Sequence, residues 1–141
     1  MATVTSDAVA RDESTFKSFP SGQVGYRTGS ISITKTQMET AAEVMQVVPV
    51  YKGETVLSVT VSGAPLSTGA DITVNVGDGT AADRFIAANA TFQSAGASLA
   101  SSIGAAGYRY TADDTIDITW GTEATTGSTG PVTLTVEIIV A

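Results

Sequence analysis

Five aliphatic side chains recur at every second position near residue 140: Val132, Leu134, Val136, Ile138 and Val140, set against Thr133, Thr135 and Glu137. Successive strand residues point to opposite faces, so this run makes one apolar and one mainly polar face only as a β-strand. The same signature recurs upstream. Ile31 and Ile33 alternate with Ser32 and Thr34, and Leu57, Val59 and Val61 with Ser58, Thr60 and Ser62. Ile72, Val74 and Val76 alternate with Thr73 and Asn75, and Ile116, Ile118 and Trp120 with Asp117 and Thr119. Tyr108 and Tyr110 flank Arg109.

Turn-forming stretches separate these runs: Lys52-Gly53, Ser62-Gly63, Gly77-Asp78-Gly79, Gly104 to Gly107, Asp113-Asp114 and Thr126 to Gly130. Short amphipathic strands punctuated in this way predict an all-β, two-sheet β-sandwich. A jelly-roll order is the first expectation and an immunoglobulin-like order the second. The near-continuous apolar run Val44–Tyr51 reads as a strand, with Pro49 placing it at an edge or a bulge. Two stretches compete with this all-β reading. The spacing Thr36-x-x-Glu39 has the form of a capping box for a short helix over 37–46, and Ala81–Ala90 is compatible with a helix.

Residues 1–28 lack sustained periodicity yet keep Phe16, Phe19 and Tyr26. A segment that stays free in solution gains nothing from three aromatic rings, so the expectation is an extended arm lying on a partner surface. The domain reading is therefore an arm over 1–28 and a jelly-roll-like sandwich over 29–141. Phe16, Phe19 and Tyr26 are its candidate contact residues.

Composition narrows the chemistry. The 141 residues include no Cys and no His, which removes disulfides, thiolate nucleophiles, Ser-His-Asp triads and the usual nitrogen ligands of metals. Absence of Cys also fits folding in a cytoplasm. The net charge of −7 argues against nucleic acid and anionic membrane as partners. Acidity is uneven: residues 1–35 carry a net +1 and the remainder −8. No apolar run reaches the ~18 residues of a membrane span, and the first residues carry acidic groups with no apolar core of a secretion signal.

Three constellations invite a functional reading. Gly77-x-Gly79-x-x-Ala82 follows a strand, as a dinucleotide-binding turn does, but the surrounding βαβ context and the distal acidic residue are missing. Asp78 and Asp83, and Asp113, Asp114 and Asp117, are oxygen ligands of the kind Ca²⁺ takes, but they lack EF-hand spacing. Their ordinary role is to cap turns or to pair with Arg84 and Arg109. Asp117 and Glu137 lie on polar strand faces, where solvation is expected rather than paired-carboxylate catalysis. Trp120, Tyr108 and Tyr110 suit core or interface packing better than sugar stacking. The reading is a protein with no catalytic residues, no metal and no cofactor.

Four stretches carry a resemblance: VVPVYKGETVLSVTV (47–61), VGDGTAADRFI (76–86), GYRYTADDTIDITWG (107–121) and TLTVEIIV (133–140). From about Val44 onward the chain resembles small structural proteins of tailed bacteriophages, of the capsid decoration or cement type. The resemblance implies a β-sandwich or jelly-roll module, often a homotrimer, bound to the major capsid protein on the capsid exterior and assembled in the host cytoplasm. It carries no catalytic residues over. The alternatives are a head–tail connector or tail ring component, and a carbohydrate- or receptor-binding β module.

Overall fold

The computed structural model describes residues 3–6, 24–68, 71–93, 97–100 and 107–141. Among them lie ten strands: β1 (Thr3–Thr5), β2 (Gly25–Ile33), β3 (Val44–Val50), β4 (Thr55–Gly63), β5 (Thr73–Gly77), β6 (Ile86–Asn89), β7 (Ala97–Ala100), β8 (Tyr108–Arg109), β9 (Asp114–Thr122) and β10 (Val132–Val140). One helical turn, α1 (Lys35–Met38), joins β2 to β3.

The strands form two sheets, ordered β1-β3-β9-β5-β6 and β2-β10-β4-β7, with β8 pairing to another part of β4. Setting aside the short β1 and β8, each sheet has four strands, and the chain crosses between layers at every connection except the β5–β6 hairpin. Pairing within these eight strands is antiparallel. This strand order is that of a jelly roll, the first of the two sequence expectations. β1 adds a fifth strand to its sheet, parallel to β3.

The core lies between the sheets and is built from the alternating runs. Ile116 and Ile118 of β9, Val74 and Val76 of β5, Val59 and Val61 of β4, and Leu134, Val136 and Ile138 of β10 are all fully buried. Burying each such side chain is worth roughly 1.5–3 kcal/mol relative to leaving it in water. Leu66 and Phe92, in loops, add fully buried side chains and are tied by Leu66 N donating to Phe92 O at 2.9 Å.

Several elements differ from the sequence expectation. The helix is one turn over 35–38, not 37–46. Its capping box is Thr34 with Gln37: Thr34 Oγ1 accepts from Gln37 N, and Gln37 Oε1 accepts from Thr34 N. Glu39 instead accepts from Gly127 N and pairs with Lys35 Nζ at 2.9 Å. From Val44 the β-branched run pairs with β9, which overrides any helical continuation. Residues 81–90, compatible with a helix by composition, form turns that lead into β6. Pro49 sits beyond the stretch of β3 that β1 covers, just past a register shift between Gln46 and Val48. There its missing N–H costs no ladder bond to β1.

Leu57 is the clearest lesson in register. It is only half-buried, while Val56 and Val59 are both fully buried. Ile139 pairs with Ser58 but Val140 pairs with Val56, so a bulge at Leu57 flips the alternation midway along β4. Leu57→Ala is therefore expected to cost under about 1 kcal/mol, several-fold less than Leu134→Ala, in paired urea denaturation curves. Equal costs would mean that Leu57 belongs to the core.

The strand Gly25–Ile33 runs across residue 28, where the arm was expected to end, and Thr3–Thr5 is also a strand. β2 alternates perfectly, with Arg27 and Gly29 among its inward positions. A Cβ on Gly29 would lie 2.2 Å from Val47 O, so glycine is what lets β2 cross so close to β3.

Candidate functional site

Two polar assemblies stand out, one beside the β5–β6 loop and one beneath the edge of β2. The first is organised by Asp78. Its Oδ1 accepts from Thr80 N at 3.0 Å and Ala81 N at 2.8 Å, an Asx-type turn that the Gly-Asp-Gly sequence favours. Its Oδ2 accepts from Arg84 Nε at 2.5 Å and Tyr110 Oη at 2.8 Å. Arg84 in turn lies over the Tyr108 ring, 3.8 Å from its centroid, and Tyr108 packs edge-on against Tyr110 at 5.0 Å. Burial alone would raise the Asp78 carboxyl, but bonds from Arg84, Ala81, Tyr110 and Thr80 hold it below the ordinary carboxylate range. Burial, with the neighbouring Asp78 as acceptor and charge, pushes the Tyr110 phenol up.

The pairing thus joins Arg84 to Asp78 rather than to its sequence neighbour Asp83. Asp113 accepts from Lys52 N at 2.9 Å, and Asp114 from Thr115 N at 2.8 Å and Gly79 N at 3.4 Å. These aspartates cap backbone, as Asp in turns ordinarily does. Among the described residues, no three Asp or Glu side chains gather closely enough to hold a metal ion.

Asp117 departs from expectation. Alternation puts it opposite Ile116 and Ile118, on the outer face of its sheet, yet it is only 4% exposed. The cause is Gly77, its cross-strand partner. A Cβ on Gly77 would fall 2.1 Å from Ala81 O, so the missing side chain lets residues 78–82 fold down over that face. Burial pushes the Asp117 carboxyl up to about 7; the Thr115 hydroxyl at 2.5 Å opposes this, and the charges of Asp114 and Asp78 add to it. A cleft of about 370 Å³ opens here, lined among others by Thr3, Gln46, Thr80, Asp117 and Thr119. Thr119 Oγ1 is buried without a hydrogen-bond partner. A second cleft of about 380 Å³, between β1 and β2, is lined by apolar and hydroxyl side chains alone, such as Val4, Ser30 and Thr133.

The other assembly is a buried ion pair. Arg27 points inward from β2 and meets Glu54 in a two-pronged contact, Nη1 to Oε2 at 2.9 Å and Nη2 to Oε1 at 2.7 Å. Nη1 also donates to Pro49 O at 2.8 Å, and Glu54 Oε2 accepts from Tyr51 N at 2.9 Å. The pair joins the edge of one sheet to the turn that links the two.

Of the candidate contact residues, Tyr26 lies on the outer face of β2 and is 68% exposed. It pairs with the half-buried Ile139, and Val24 just before β2 is also exposed. Phe16 and Phe19 fall outside the described residues. Trp120 is buried, with Nε1 donating to Gln37 O at 2.8 Å, and Tyr110 is buried against Asp78. Neither offers a ring face on which a sugar could stack.

The fold has counterparts among solved bacteriophage capsid structures. A chain in the capsid of Ralstonia phage GP4 superposes with a TM-score of 0.74 at 18% identity, covering 99% of this chain and 97% of that one. A chain in the capsid asymmetric unit of cyanophage Pam1 gives 0.68 at 23% identity, covering 91% and 95%. A chain in the acidic stable capsid of Helicobacter pylori bacteriophage KHP30 gives 0.56 at 14% identity, covering 83% and 86%. No family model matches the sequence, and no curated protein does. At these identities the likeness is one of fold.

Proposed function

We propose that this chain is a structural virion protein of a tailed phage that decorates the outside of the capsid, binds the major capsid protein and stabilises the shell. The observation that carries this reading is that the likeness to the GP4 chain spans 99% of the molecule, so the whole chain, not a shared submodule, has the shape of a phage capsid component. The acidic surface and the absence of His and Cys support a binding role over a catalytic one. On this reading the protein is a homotrimer, and Phe16, Phe19 and Tyr26 bind the particle. Tyr26 supports the last point, since a strand that exposes a tyrosine beside Ile139 offers an aromatic anchor of the kind enriched at interfaces.

Copy number tests the role. Decoration requires hundreds of copies per particle, whereas a connector or tail ring follows the symmetry of its axis with about six or twelve. Gel densitometry of virions against the major shell protein distinguishes them, and a ring-like count overturns the decoration reading. Residue roles are tested by the triple change Phe16→Ser, Phe19→Ser and Tyr26→Ser. Substitution is preferable to deletion of the segment, because Thr3–Thr5 pairs with β3. The variant is expected to fold and self-associate normally but to bind heads at least tenfold more weakly, a loss of about 1.4 kcal/mol or more. Unchanged head binding assigns the contact to other surfaces.

A further inference from the structure

We infer that the cleft at Asp117 and Thr119 is a docking site for one basic side chain, lysine or arginine, of a neighbouring protein subunit. The inference rests on the virion-binding reading and gives that contact a chemistry.

Four segments build the cleft: β1 through Thr3, β3 through Val44 and Gln46, β9 through Asp117 and Thr119, and the loop over 78–82. Its volume of about 370 Å³ falls within the range of sites that hold a multi-atom group. A polar group taken out of water costs free energy until it finds a partner. One group here lacks a partner and another has a single one. Asp117 is 4% exposed and its Oδ1 meets only the Thr115 hydroxyl, while Thr119 Oγ1 is buried and unpartnered.

The surrounding charges set the sign of the missing partner. Asp78, from the loop, and Asp114, from β9, are both acidic and both raise the Asp117 carboxyl. The nearby cation, Arg84, is committed to Asp78 at 2.5 Å. Among the described residues that line the cleft, β1 and β3 contribute only uncharged side chains. An incoming ammonium or guanidinium group would meet a carboxylate and a hydroxyl, the acceptors that satisfy its N–H donors. A divalent metal ion is a poorer fit, because no three carboxylates converge here among the described residues. The site is coupled to protons: below about pH 7 Asp117 is a neutral acid, and a bound cation would drive the proton off and lower the titration midpoint.

The test uses the full chain, with carbon-13 carboxyl NMR following Asp117 through its titration. The probes are n-butylguanidine for a guanidinium and n-butylamine for an ammonium, with Ca²⁺ as a comparison. The expected result is a midpoint lowered by at least about half a pH unit by one or both organic cations. Glu137→Gln, on an exposed strand position of the other sheet, controls for net charge and should respond as the parent does. The response should weaken in Thr119→Val. No shift with either cation overturns the inference, as does a larger shift with Ca²⁺ alone. On heads lacking this protein, Asp117→Asn should bind at least tenfold more weakly than the parent. If the parent itself does not bind heads, the decoration reading fails and the NMR titration still judges the cleft. If the parent binds and Asp117→Asn binds equally, the cleft is not a subunit contact.

Discussion

Arg27→Met is expected to lower the stability of the fold by about 3–5 kcal/mol, because it leaves the buried Glu54 carboxylate without its cation. Arg27 has 1% of its side chain exposed and Glu54 11%, so water cannot replace the lost bonds in place. The variant would leave Glu54 with the Tyr51 N–H still donating to it, and would take a donor from Pro49 O. Glu54→Gln should cost less than Arg27→Met, since the amide oxygen can still accept from Arg27. The double change Arg27→Met with Glu54→Met removes both charges and should cost well under the sum of the single changes. Urea unfolding followed by the fluorescence of Trp120, the one tryptophan, measures the parent, these three variants and Glu54→Met alone, which completes the cycle. Additive losses, or a loss below about 1 kcal/mol for Arg27→Met, would mean that the pair is solvated in solution.

That pair also shows where sequence reading stopped. The strands that alternate apolar with hydroxyl residues were legible because their outer faces meet water, which makes the period visible. β10 is the best case: its five alternating aliphatic positions, Val132 to Val140, are all buried. Arg27 could not be read this way, since a charge on a strand signals an outward position unless its partner is known. Glu54 is 27 residues away, in a turn. Leu57 was misplaced because a bulge is invisible in composition: Val59 and Val61 keep the expected face, but on the other side of the bulge Val56 takes the inward position instead of Leu57. β1 and β6, at three and four residues, are too short to show a period.

The candidate site divides along the same line. Gly77-Asp78-Gly79 was legible as a turn, because Asp bonds backbone two residues on and glycine permits the bend. That the turn folds over Asp117 depends on Gly77 pairing with Asp117 across two strands, a long-range fact. Asp117 therefore read as solvated when it is buried. The cleft is drawn from four segments between Thr3 and Thr119, and no local motif marks it. Of the aromatics read as contact residues, Tyr26 is displayed on the outer face of a regular strand, while Phe16 and Phe19 lie outside the described residues.

Asp117→Asn is expected to leave stability nearly unchanged near about pH 4 and to raise it by about 2–4 kcal/mol near about pH 8. In the unfolded chain an aspartate titrates near about 3.9. In the folded protein burial pushes Asp117 up to about 7. Between those values the native state holds a proton that the unfolded state has released. The parent therefore loses stability as pH rises, at up to about 1.4 kcal/mol per unit. Above about pH 7 both states are ionised at this position and the penalty levels off. Asparagine has the same shape and no such proton, so the difference between the two proteins isolates Asp117 from every other titrating group. Asp78 provides the internal contrast: its carboxyl is held low by Arg84, Tyr110 and backbone donors, so it contributes stability that is lost as pH falls. Urea denaturation of parent and variant at half-unit steps across this range reads the crossover directly. A difference that stays flat with pH would mean that Asp117 titrates like an ordinary carboxylate and that the loop over 78–82 does not seal it from water.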